Sequence, residues 1–196
     1  MSRQRWVWGT VPIMIAVLGY WSLSSGAKAP AAKVGIPPEI VADYVHTIIE
    51  ADRILYTTDV VERMQEKGIV VASENWEQRN TLPLPAQFLA KAARSVSEKR
   101  PGLRYRLLSL WPIRERNRPA SGFERTGLET VLMKPDRPFT EIVEKEGKLY
   151  FTAVYADRAI SQACIGCHNA HPDSPKHDYK INDVMGGMVI TIPMEQ

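Results

Sequence analysis

From Glu39 to Lys67 the apolar residues Val41, Val45, Ile48, Leu55, Val60 and Met64 recur at close to helical spacing. That is the stripe of one long amphipathic helix, and Gly68 stops it. The segment "TLPLPAQFLAKAARSVSEK" (81–99) opens with prolines and continues as a second helix, ended by Pro101 and Gly102. "LRYRLLSLWP" (103–112) alternates as a strand. Ser121, with Glu124 three residues on, reads as the N-cap of a helix running to about Met133. Two alternating runs around Glu146 and Gly147 (139–158) predict a β-hairpin, and "GGMVITIPM" (186–194) supplies a last strand. Helices come first, followed by an antiparallel sheet of four or five strands with helices packed on it. The fold class is α+β.

Ahead of this pattern lies a different one. Arg3 and Arg5 precede the apolar stretch "WVWGTVPIMIAVLGYW" (6–21), and "SLSSGAKAPAA" follows with small residues. Residues 1–27 read as an export signal, with Ser25 and Ala27 suited to cleavage before Lys28 and Ala29 and Ala31 offering a second choice. Left in place, the run extends to Leu23, about the minimum that spans a bilayer, and becomes an anchor. Both readings export the folded part, so a periplasmic location is expected, with membrane attachment only if the leader stays. Residues 28–38 are a linker and 39–196 form one domain.

Charge sharpens the division. The net charge is +3, but Arg3, Arg5, Lys28 and Lys33 stand in the acid-free first 33 residues. The remainder carries 21 basic and 22 acidic side chains, no excess of the kind that nucleic acid requires. With 44% hydrophobic and 24% charged residues, the domain has the composition of an ordinary packed globule.

The candidate chemistry lies in "CIGCHNAHPDSPKHD" (164–178), which holds both cysteines and three of the four histidines. A disulfide between Cys164 and Cys167 would close too short a loop to restrain the unfolded chain. A thioredoxin-type dithiol calls for a helix opening inside a βαβ unit, whereas this pair follows a hairpin and "HNAHPDSP" is a poor helix. Cys164, Cys167, His171 and His177 could ligate zinc, but their spacing is tighter than in common zinc modules and leaves His168 unused. Cys-x-x-Cys-His, the attachment site of a c-type haem, uses both cysteines and His168 and suits an exported protein. The two thiols become thioether anchors and the adjacent imidazole the proximal iron ligand. One covalently attached haem c is therefore expected.

The stretch "CIGCHNAHPDSPKHDYKINDVMGGMVITIP" resembles the C-terminal signature of the PAS-like c-type haem family, the Tll0287-like proteins, which includes periplasmic haem domains of bacterial signalling proteins. "LPLPAQF" (82–88), "SLWPIRERN" (109–117), "GFE" (122–124) and "YADR" (155–158) resemble its earlier blocks in the same order, so the likeness spans roughly 40–194. It implies a PAS-like sheet with a long N-terminal helix. The chain departs from the pattern at Tyr179, Asn182 and Met185, where Trp, Gly and Arg are common in the family. The missing arginine leaves any propionate contact it makes unfilled. The cyanobacterial branch uses a cysteine as sixth iron ligand, and this chain has none to spare.

Further roles follow from these assignments. Arg114 and Arg116 in "WPIRERN", with Lys176 as a third candidate, are expected to meet the haem propionates, since guanidinium forks match carboxylates. Met64, at the end of the long helix, is the candidate sixth ligand; Met185 and Met188 are further thioethers near the haem box, and the alternative is a site open to a ligand. Trp76, Phe88, Tyr105 and Trp111 could wall the pocket, His171 and His177 read as structural, and His46 as solvated surface on the polar side of its helix.

The resemblance implies a haem-based sensor or a module binding a small gas such as NO or CO. A periplasmic electron-transfer cytochrome with a redox partner protein is the alternative; no kinase, cyclase or methyl-accepting segment is visible in the sequence. No second redox centre or acid–base pair points to an enzyme. The long helix could also join two copies in a homodimer.

Overall fold

The computed structural model describes residues 35–194, so the expected export leader and the expected linker up to residue 34 lie outside the described residues. Among the described residues no helix is long and apolar enough to cross a membrane.

The chain begins with α1 (Pro38–Leu55), passes without a break through a π-helical stretch, Tyr56–Glu62, and ends the same rod as α2 (Arg63–Glu66). Two short parallel strands, β1 (Ala72–Ser73) and β2 (Leu82–Pro83), flank α3 (Trp76–Arg79). α4 (Pro85–Lys99) therefore starts later than the sequence predicts, with proline at its first position. Then come β3 (Arg104–Leu108), a 3-10 turn at Glu115–Asn117, and α5 (Gly122–Met133). Ser121 caps α5 as expected, its Oγ accepting the Glu124 amide at 3.2 Å. β4 (Phe139–Lys145) and β5 (Lys148–Arg158) form the predicted hairpin. α6 (Gln162–Ala170) and β6 (Val184–Pro193) complete the chain.

The four main strands form one antiparallel sheet in the order β3-β6-β5-β4. Alternation along β5 sends Phe151, Ala153 and Tyr155 to one face, where Ala42 and Ile49 of α1 and Leu89 and Ala93 of α4 cover them. Val154 and Val189 point to the other face, against Leu128 and Val131 of α5. This is the α+β arrangement with a long N-terminal helix that the sequence implies.

The helix lies rotated from its predicted stripe. Ile48 and Leu55 are 63% and 55% exposed, while Ala42, Ile49, Arg53, Thr57 and Val61 are buried. A hydrophobic template passes over Arg53 and Thr57 because polar residues are rarely fully buried.

β3 and β6 approach so closely at Gly186 that an added Cβ would stand 2.2 Å from the Leu108 carbonyl oxygen. Backbone leaves no side chain to move aside. Gly186→Ala should therefore cost about 2–3 kcal/mol, lowering the melting temperature by roughly 5–10 °C in a thermal denaturation scan.

Candidate functional site

β5 and β6 pair in register until the ladder shifts at Asp157/Arg158. The intervening segment leaves the sheet as α6, which carries Cys164, Cys167 and His168. The helix covers "CIGCHNA" and ends at Ala170, so of "HNAHPDSP" only the first three residues are helical, and Pro172 follows the C-cap His171. The helical spacing puts residues 164, 167 and 168 on one face. That face borders a cavity of about 640 Å³ lined on other sides by the π-helical rod, the end of β3 and the loop through Trp111 and Arg114. Leu84, Leu107, Leu108, Pro112 and Ile113 give it an apolar interior.

α6 has no side-chain cap of its own. Glu62, from the π-helical turn, supplies one by accepting the Ala163 amide at 3.2 Å, where a carboxylate also suits the helix dipole. The far end of α6 is held by Asn169. Its amide donates to the Tyr179 carbonyl and its oxygen accepts the Tyr179 amide, both at 2.9 Å. Tyr179 thereby stands edge-on to His168, with ring centroids 5.9 Å apart. It fills the family's tryptophan position with another aromatic. Asn182 stands where the family has glycine and adopts φ +72°, a conformation asparagine tolerates better than most residues. Met185 is buried against Cys164 and Ile165 and borders the cavity.

Burial lowers the His168 pKa below the ordinary histidine value, and His171 and Arg53 push the same way. The imidazole is kept neutral, the form that ligates a metal. Its Nδ1 is buried without a hydrogen-bond partner. Desolvation raises the Cys167 thiol, with Glu74 and Cys164 adding to the rise, although part of the residue is exposed. A reactive redox dithiol calls for the opposite shift. His171 and His177 are engaged elsewhere: His171 Nδ1 accepts the Asp173 amide at 3.1 Å, and His177 Nδ1 lies 2.9 Å from the Asn169 carbonyl. Among the described residues no three His, Cys, Asp or Glu side chains converge to hold a metal ion. Two thiols, a neutral imidazole and an apolar cavity of cofactor size form a donor set that fits haem c.

The remaining candidates divide. Arg114 borders the cavity and is paired with Glu74. Arg116, exposed in the 3-10 turn, borders a different groove. Lys176 is paired with Asp178 and lies over Trp111 and Tyr179, 5.8 and 5.0 Å from the ring centroids. Neither Arg116 nor Lys176 lines the cavity. Met64 does not line it either: Val61, Glu62, Gln65 and Glu66 do, and at about 100° per residue Met64 falls on the other side of the rod. Met188 is buried in the sheet core. Of the four aromatic candidates Trp111 is on the wall; Phe88 and Tyr105 belong to the core under α1, and Trp76 carries Lys91 over its ring.

Arg53 and Asp157 were missed. Both border the cavity and form a buried ion pair between α1 and β5. Burial pushes the Asp157 carboxyl up, against the Arg53 guanidinium that holds it down. Arg53 sits in the middle of a helix with no motif around it, so its only sequence signal is position: Ala42, Ile49, Arg53 and Thr57 share one helical face.

His46 is a correction. It is half-buried and stacks on Tyr155 at 4.0 Å, and Tyr155 in turn donates to Asp43 at 2.7 Å. The helix rotation that exposes Ile48 turns His46 toward the sheet.

The sequence profile of the Tll0287-like family matches residues 39–193. Among solved structures the chain is similar to one described as the crystal structure of the cyanobacterial heme-protein Tll0287. They share 13% identity with a TM-score of 0.48, over 82% of this chain and 99% of that one. No curated protein matches.

Burial lowers the pKa of His46, opposed by Glu50, Asp43 and Asp157. As pH falls through the ordinary histidine range the unfolded chain takes up this proton first, so stability is lost on acidification. His46→Phe keeps a ring on Tyr155 and does not titrate. Between about pH 7.5 and 5.5 its melting temperature should fall less than that of the wild type; equal losses would refute this account.

Proposed function

The chain belongs to the Tll0287-like family, and from that premise we propose that it is a monohaem c-type protein that binds a small ligand or responds to redox state. The observation that carries this reading is the cavity with Cys164, Cys167 and His168 along one wall. Cys164 and Cys167 would form the thioethers and His168 would ligate the iron. When bound, the haem supplies an iron centre able to change oxidation state or accept a ligand. Arg114, at the cavity wall, is the candidate partner for a propionate; its charge would have to be shared with Glu74.

The chain's own residues suit a sensor. Apolar residues line much of the cavity, and Glu62 bonds the cysteine-bearing helix directly to the N-terminal rod. A shift of α6 is therefore felt by the rod, which makes the rod a candidate bistable element. Ile40, Tyr44, Ile48 and Leu55 lie exposed along α1, which supports pairing of two copies through that helix. In this reading the protein works in the periplasm and is not an enzyme. The second reading, an electron carrier, is favoured by the exposure of Cys167, which would bring one edge of the haem to the surface.

The protein expressed with haem-attachment machinery should retain one haem through acid–acetone extraction. Cys164→Ser combined with Cys167→Ser should release it. Reduced protein whose absorption spectrum changes with NO or CO supports ligand binding, and sharp low-spin bands indifferent to both gases favour the carrier.

A further inference from the structure

Neither haem attachment nor proximal ligation uses the charged pair in the cavity wall. Arg53 is 9% exposed, yet its Nε is buried with no hydrogen-bond partner. Asp157 occupies Nη1. Thr57, one turn on, spends its hydroxyl on the Arg53 carbonyl at 2.7 Å and gives the guanidinium nothing. A buried donor left unpaired carries its full desolvation penalty, and a cationic one carries more. Ligand pockets are where such donors find their acceptor, from the ligand itself.

Arg114 is the contrast. Its side chain is 53% exposed, so it marks the solvent side of the cavity, whereas those of Arg53 and Asp157 are 10% and 12% exposed and mark its interior. Arg53 and His168 line the same cavity. Asp157 fixes the guanidinium in place without using all its donors. The unpaired Nε–H belongs to a cation and therefore favours an acceptor that carries negative charge.

We propose that Arg53, held by Asp157, is an anion-binding donor inside the haem cavity. The anion is either a small exogenous one at the iron or the cofactor's own carboxylate. This rests on the haem reading above.

The test is to titrate the oxidised, haem-loaded protein with fluoride and with imidazole, and to follow its midpoint potential against pH. Two variants are compared with the wild type. Arg53→Lys keeps a charge opposite Asp157 but has no N–H at the Nε position. Arg53→Met with Asp157→Asn removes both charges, so no lone carboxylate is left buried. If the anion is exogenous, both variants weaken fluoride roughly 10- to 100-fold and leave imidazole, which brings no charge, unchanged. If it is the carboxylate, fluoride is unaffected, and the bend in potential against pH moves up by about one unit or more in the double variant. A haem-loaded wild type matched by both variants in both readouts overturns the inference alone. A wild type that carries no haem overturns the haem reading and this inference with it.

Discussion

Arg53 reaches from the last turn of α1 to Asp157 near the end of β5, and both side chains are nearly removed from water. Taking two charges out of solvent is expensive, and apolar residues of similar volume often serve stability as well or better. The pair fixes position. It ties the long helix to the point where the β5–β6 ladder shifts and the chain leaves the sheet for α6. Two residues earlier, Tyr155 stacks on His46 and bonds Asp43. A polar seam thus runs along the helix–sheet interface beside the apolar contacts of Ala42 and Ile49. The seam sets the rotation of the helix, and the rotation decides which residues meet the cavity.

That rotation explains what the sequence disclosed and what it did not. Features set by neighbours in the chain were legible: the Ser121 cap, the hairpin turn at Glu146 and Gly147, and the grouping of Cys164, Cys167 and His168, which the structure places on the cavity wall. The helix itself was legible, but its facing was not. An apolar template places Ile48 and Leu55 inside and treats Arg53 as solvent-facing, because it cannot see that Asp157, 104 residues on, compensates the charge. His46 was misjudged for the same reason. Within α1 a single error of rotation moves every residue together.

The departures from the family's usual residues are absorbed locally. Tyr179 keeps an aromatic edge against His168, clamped by Asn169. Asn182 occupies a left-handed position at some cost relative to glycine. Met185 is the larger change, because it puts a thioether where the family commonly has a guanidinium. It lies buried beside Cys164, so a charge at this position would share the α6 side of the cavity. Here the deep cation comes instead from α1, as Arg53.

The N-terminal rod therefore meets the cavity at two places with different chemistry. Arg53 contributes charge from α1, and Glu62, from the π-helical turn, caps α6. The π-helical stretch between them is part of how both contacts are made. A regular α-helix advances 100° per residue, so nine residues from Arg53 to Glu62 turn it by 900°, which leaves the two on opposite sides. The wider π turns shift that phase, and such insertions in helices are common at functional sites. With Arg53 and Glu62 both on the cavity wall, the cavity interior and α6 are both tied to the same helix.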